Sequence, residues 1–425
     1  MGLSSDRFVS KGRERVPVET TQCRIGGGSH LVSVLDLGEQ ALTGVFPRSP
    51  DQHVSRGPLR LVWSPKSGLL QLAHRFDPRE MYGQNYGYRS GLNPSMVHHL
   101  VNKVHQLRQL RPLRAGDVVI DIGSNDGTLL NAYADAGVRR IGIDPTGEKF
   151  REYYQPDIEL IPDFFSKATL SRCVGDGAAR IVTSISMFYD LEDPVAFARD
   201  VHDLLTEDGI WHFEQSYMPS MLRLNAYDTV CHEHVSYYSL EAVRYILDRA
   251  DLKVVDVMMN SVNGGSFAVT AARKSSRVQP NTPVIEWLLS EEDRLGLHTP
   301  KPFRDFETRV FEHRNSLTSL VRSLNADRKV VFGYGASTKG NVLLQFCGFD
   351  ERDLPCIAER NPDKYGCSTP GTNIPIVSEA EARSRRPDYL LVLPWHFKPG
   401  IVEREREFLA RGGRMIFPFP EIEIV

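Results

Sequence analysis

The chain has 425 residues, a net charge of only -3, and hydrophobic and charged fractions of 41% and 25%. These are the values of an ordinary globular protein of two or three domains. They exclude the basic field of a nucleic-acid binder, and no apolar run is long enough to span a membrane. Six irregularly spaced cysteines, with no signal peptide expected at the start, lead to the expectation of reduced thiols in a cytoplasm.

The first stretch, Met1 to Arg15, is polar and charged and is expected to fray. Gln22–Gly27, Leu31–Gly38 and Leu59–Leu72 read as short strands and turns of a small β-rich module. Tyrosines and glycines crowd Met81–Asn93, which predicts an irregular loop. The hydroxyls of Tyr86 and Tyr88 there suit a site as well as they suit turn packing. Pro94–Leu110 carries Met96, Val97, Leu100, Val104 and Leu107 on one face and predicts an amphipathic helix.

Asp117–Leu130 organises the rest of the chain. The apolar run to Ile122 predicts a buried parallel strand, Gly123 and Gly127 a tight loop, and Thr128-Leu-Leu130 the start of a helix. That unit forms a nucleotide site at the carboxyl end of a strand. A second strand, Arg140–Asp144, ends in an acid about 20 residues past Gly123, the spacing at which a carboxylate meets ribose hydroxyls. The loop lacks the dinucleotide pattern and carries Asp121 and Asp126, beside Asn125. Two carboxylates repel a pyrophosphate and suit a ligand with an ammonium and a sulfonium, which is S-adenosylmethionine (SAM). The segment resembles the first two motifs of class I SAM-dependent methyltransferases. The resemblance implies that Asp163 meets the adenine amine and Phe164 covers the ring. Arg180–Asp190 reads as the next strand and its exit loop, with Ser186 and Phe188 at the strand end, where donor and acceptor should meet.

Asn225–Ser239 is the densest polar stretch, with Cys231, His232, Glu233 and His234 in a row. Adjacent side chains diverge, so a metal site fits poorly, and this is not a zincin helix. A surface loop with satisfied histidines competes with an acid/base site, in which a glutamate raises the basicity of a histidine. Further on, Asn263–Ser266 is a turn whose amides suit a sugar or phosphate, or a plain hairpin. Asn281–Leu324 is helical with a break near Pro300–Pro302 and bridges two domains. Lys329–Asn341 opens a second strand, glycine loop and helix. Its spacing excludes a Walker loop, while Ser337, Lys339 and backbone amides are available to an anion. NAD stays open there, with Glu359 as the candidate acid. Leu390–Trp395 and Met415–Pro418 add strands, with His396 at a strand end.

The run from Tyr227 to Ser239 looks like the signature of three-domain sugar C-methyltransferases. Asn85–Met96, Val262–Phe267 and Gly333–Asn341 match other motifs of that family in the right order. The resemblance implies SAM as donor and a nucleotide-linked 4-keto-6-deoxy sugar as acceptor. It implies His234 as the base, Glu233 as its support and Tyr88 at the oxyanion, with Cys231 where tyrosine is common. Tyr86, His232, Asn263, Ser337, Lys339 and Asn341 are expected at the substrate. It also implies an N-terminal zinc ribbon, whose ligand positions fall on Cys23, Gly26, Ser64 and Ser67. Tetrahedral zinc needs four strong ligands, so zinc is predicted absent. The expected fold is α/β, with a degraded zinc-ribbon-like module (1–80), a class I methyltransferase Rossmann-like domain (81–275) and a second Rossmann-like domain (276–425). A monomer or weak homo-oligomer is expected, with no nucleic-acid or membrane partner. An NAD-dependent sugar-modifying enzyme and a non-catalytic sugar-nucleotide binder remain as alternatives.

Overall fold

The computed structural model describes residues 17–49, 51–77, 81, 88–134 and 136–425. The predicted frayed start and Tyr86 lie outside them. Alternating apolar residues pair Val32–Ala41 with Arg56–Trp63, and a turn returns the chain as Leu70–Leu72. The fourth strand of this sheet is Ser236–Tyr237, which pairs with Leu70 and Gln71. The polar insert is therefore built into the N-terminal sheet, a long-range pairing that no local pattern encodes.

The central sheet has seven strands. Their order is Leu252–Asn260, Ser266–Arg273, Leu205–Ser216, Ala179–Ile185, Val118–Ile122, Arg139–Ile143 and Ile158–Ile161. Only Ser266–Arg273 runs antiparallel to its neighbours. Every residue of Val118–Ile122 is buried, as a strand covered by helices on both faces requires. The C-terminal sheet runs Ile376–Ser378, Ile357–Glu359, Val331–Tyr334, Tyr389–Val392, Arg414–Phe417 and Glu423–Ile424, with only the last strand antiparallel. Both sheets change direction of growth beside the strand that carries a glycine loop. That switch point is where open α/β sheets hold ligands.

Pro94–Leu110 is helical over the predicted span, started by the Asn93 side chain and by Pro94, and buries Leu100, Val104 and Leu107. The bridging stretch forms Thr282–Arg294 and Lys301–Ala326, divided at the prolines. The Trp63 ring lies 4.9 Å from Phe303 on the long helix. Together with Leu61, Val310 and Leu343 it belongs to one apolar core joining the N-terminal sheet to the C-terminal one. Removing a buried ring of that size costs about 3–5 kcal/mol.

Candidate active site

The donor loop is held in a left-handed shape. Gly123 and Gly127 have φ of 77° and 74°, and Asn125 has φ of 50°. A Cβ on Gly127 would lie 2.7 Å from the Tyr154 ring. The Tyr154 hydroxyl donates to the Asn125 carbonyl at 2.8 Å and lies 2.8 Å from Ser124 Oγ. Asp144 accepts from the Asn125 amide at 2.8 Å and from the Thr146 amide at 2.6 Å. Asp121 accepts from Thr183 Oγ1 at 2.6 Å, and burial pushes its carboxyl up to about 7. Asp163 and Phe164 are exposed at the neighbouring strand end, Phe164 by 46%. Carboxylates at two strand ends, a cradle closed to side chains and an open aromatic fit the methyl donor. Asp121, Asp144, Asp163 and Phe164 would hold it, and when bound it supplies an electrophilic methyl group.

Three expectations on this side change. Asp126 is already engaged: it accepts from Thr128 Oγ1 at 2.6 Å and from the Gly91 amide at 2.8 Å, and the Arg89 guanidinium lies 4.0 Å away. The Asn125 side chain is also engaged, accepting from the Ser90 amide at 2.9 Å and donating to the Tyr88 carbonyl at 3.1 Å. Residues 88–91 thus form a strap across the donor loop, with the Tyr88 side chain 49% exposed. Phe188 is not at the cofactor but fully buried, packed against Trp211, Phe213 and Tyr238. Met187 takes the place next to Gly123, and Ser186, with φ of 56°, turns the chain there. The helix behind the strap is anchored by Glu214, which meets Lys103, His99 at 2.7 Å and the Asn260 amide at 2.7 Å. Burial opposes the charge of Glu214, yet the His99 hydrogen bond and Lys103 hold its carboxyl at about 2.

In the insert, His234 Nδ1 lies 2.9 Å from the Thr229 carbonyl. A carbonyl only accepts, so Nδ1 carries the proton and Nε2 keeps its lone pair. Burial, then the Lys339 charge, pushes the imidazole down to about 3, so it is neutral at physiological pH. The Tyr189 ring centroid is 4.2 Å from that of His234. Glu233 does not orient this ring. Its carboxylate turns to the N-terminal module, accepting from Thr43 Oγ1 at 3.4 Å and lying where a Cβ on Gly44 would meet it at 2.6 Å. The physical reason is that consecutive residues of a turn project apart. His232 is likewise no substrate residue: it is fully buried, edge-on to Phe76, with Nε2 3.2 Å from the Gly57 carbonyl. Cys231 is buried, and burial pushes its thiol well above the ordinary range.

From the C-terminal side, Ser337 caps Thr338–Cys347 by accepting from the Gly340 amide at 3.0 Å. Asn341 is fully buried and donates to the Thr43 carbonyl at 2.7 Å, an interdomain tie and not an open ligand. Lys339 Nζ donates to the Asn263 carbonyl at 2.8 Å. Asn263 adopts φ of 54°, which turns that carbonyl toward the C-terminal lobe. Beside it, Trp395 Nε1 donates to Asp228 Oδ2 at 2.8 Å. Sequence reasoning missed Thr229, Asp228, Tyr189 and Trp395; only the long-range packing of the insert marks them.

Comparison with known proteins shows the family. Residues 96–257 match the family described as "Methyltransferase domain", and 261–420 match "C-methyltransferase C-terminal domain". Residues 23–82 match "Putative zinc binding domain". A C-methyltransferase of Streptomyces niveus, NovU, is 32% identical over 407 residues, covering 95% of this chain and 96% of that one. The chain belongs to the C-methyltransferase family and is a SAM-dependent C-methyltransferase. Among solved structures, a methyltransferase in complex with the Haloferax volcanii Trm112 activator covers 43% of this chain and 94% of its own. Its TM-score is 0.36 at 17% identity. The YcgJ protein of Bacillus subtilis covers 41% and 98%, with a TM-score of 0.32 at 14% identity. Likenesses this loose carry no argument.

The residues do not fit the zinc that the N-terminal family name implies. Cys23 Sγ lies 3.1 Å from Ser67 Oγ. A Cβ on Gly27, one residue past the expected Gly26, would meet Ser64 Oγ at 2.5 Å and Ser67 Oγ at 2.8 Å. One thiol and two neutral hydroxyls are a poor donor set for zinc, and the space between them is closed.

Proposed function

We propose that this C-methyltransferase acts on the carbon next to the ketone of a nucleotide-linked 4-keto-6-deoxy sugar. The supporting observation is the neutral His234, whose Nδ1 is committed to Thr229 and whose Nε2 is free to take a proton. In this reading His234 is the general base, and Tyr88, half exposed on the strap, offers a hydroxyl to the enolate oxygen. Lys339, Ser337 and the Asn263 turn face the sugar nucleotide. Asn341, His232 and Glu233 hold the modules together around it. The cavity beside His234, lined by Tyr189, Thr229 and Ser236 among others, measures about 10 Å³, room for a water and not a sugar ring. The division into 1–80, 81–275 and 276–425, a cytoplasmic location and a monomer or weak homo-oligomer belong to the same reading.

The test is methyl transfer from labelled SAM to nucleotide-linked 4-keto-6-deoxy sugars by wild type and His234→Ala. General-base catalysis contributes ~10²–10⁴-fold, so the variant should lose at least ~10²-fold while still binding SAM. A His234→Ala rate near wild type would remove the assignment.

A further inference from the structure

Lys339 is half-buried in the first turn of Thr338–Cys347, at the N-terminus of a helix that packs on the Tyr227–Thr229 turn. That turn carries the carbonyl that holds His234. An ammonium has three donors. Among the described residues, Lys339 places one, on the Asn263 carbonyl at 2.8 Å. The other two are left for a ligand oxygen. Its charge acts on His234, on His396 and on Asp228. Asp228 supports that charge against the opposing effect of burial.

A cation beside a base is anticatalytic by itself, because the base must become an imidazolium. The arrangement helps only if a negative charge develops between the two groups in the same step. Proton abstraction next to a ketone produces such a charge on the ketone oxygen. We propose that Lys339 is a catalytic residue, its ammonium binding the enolate oxygen opposite His234. It adds a full charge to the hydroxyl that Tyr88 offers at that oxygen.

The step balances. His234 Nε2 takes the proton, and the C–H electron pair forms the enolate with its charge on oxygen beside Lys339. The enolate carbon then bonds to the methyl group while the methyl–sulfur bond breaks, and S-adenosylhomocysteine leaves as the ketone reforms. Lys339 remains protonated throughout. Preorganised charge of this kind contributes about 10²–10³-fold.

This inference rests on the proposed function, and the experiment separates the two. Wild type, Lys339→Gln and Lys339→Arg are incubated in D₂O with a nucleotide-linked 4-keto-6-deoxy sugar. α-Deuterium incorporation and methyl-transfer kcat and KM are read, with SAM binding by calorimetry as the check on folding. Lys339→Gln keeps a neutral donor for the Asn263 carbonyl and removes the charge. It should lose about 10²–10³-fold in both exchange and kcat, with sugar-nucleotide KM little changed and SAM bound as in wild type. Lys339→Arg should recover part of the loss. A raised KM with kcat and exchange intact would show a phosphate contact and overturn the oxyanion role. So would a Lys339→Gln enzyme that exchanges at the wild-type rate. If Lys339→Gln fails to bind SAM, loss of exchange in a folded Lys339→Arg overturns the role, because the charge is then present and ineffective. Wild type that neither exchanges nor methylates such sugars removes the proposed function itself.

Discussion

The two Rossmann-like lobes carry the same device and use it differently. In the central lobe Asp144 accepts from the Asn125 amide of the glycine loop. In the C-terminal lobe Glu359, at the end of the second strand, accepts from the Ala336 amide at 2.7 Å and from Arg360 and Asn361. Around the central loop, exposed Asp163 and Phe164 leave the crevice open. Around the C-terminal loop the neighbours are aliphatic: a Cβ on Gly335 would lie 2.7 Å from Pro394, and one on Gly340 2.7 Å from Leu393. The Thr43 and Pro47 carbonyls also bond to Asn341 and Ser368 of that lobe. An acid and a glycine loop make a turn stable; what surrounds them decides whether a nucleoside can enter. One lobe holds the donor, and the other presents Lys339 to the insert.

Parallel substitutions test that contrast most strongly. Asp144→Ala strips the Asn125 amide of its buried partner, a cost of about 1–3 kcal/mol, and should weaken SAM binding at least about tenfold by calorimetry. Glu359→Ala should destabilise the fold by a similar amount and leave SAM affinity within about twofold, since Glu359 lies outside residues 96–257, which match the methyltransferase domain. Equal loss of SAM affinity in both variants would break the comparison.

A subtler difference lies in Asp121, whose folded carboxyl sits at about 7 because it is buried. The folded state then holds a proton that the unfolded chain, with an ordinary Asp near 3.8, has lost. Stability from this group therefore falls as pH rises between those values and levels off above about 7. Asp121→Asn should flatten that slope in denaturant titrations. A cationic donor prefers the ionised form, so wild-type SAM affinity should rise as pH passes about 7, and the variant should show no such rise. The smallest effect is expected at the N-terminal module. A chelator should leave the melting temperature unchanged, because the Trp63–Phe303 contact and its core carry the module. A chelator-induced drop would show that the hydroxyls of Ser64 and Ser67 do hold a metal.

Much of the site was legible locally. The Val118–Ile122 strand, the glycine loop and Asp144 declare themselves because apolar runs, glycines and a terminal acid have local geometric causes. Side-chain partners were not legible. Phe188 reads like a strand-end aromatic but falls into the core, since the neighbouring Trp211 and Phe213 offer apolar surface that solvent does not. Glu233 reads like the partner of His234 because they are adjacent, yet its carboxylate reaches a segment 190 residues away in the chain, at Thr43.

The sequence by itself determined the two strand–loop–helix units, their order and the absence of zinc ligands at three of the four ribbon positions. Each of those depends on residue type and short spacing. Tertiary structure alone decided that Ser236–Tyr237 completes the N-terminal sheet, that Thr229 sets the tautomer of His234, and that Lys339 reaches the Asn263 carbonyl from another lobe. Those facts depend on how three modules share one core, and contacts between residues a hundred positions apart leave no periodic trace in the chain.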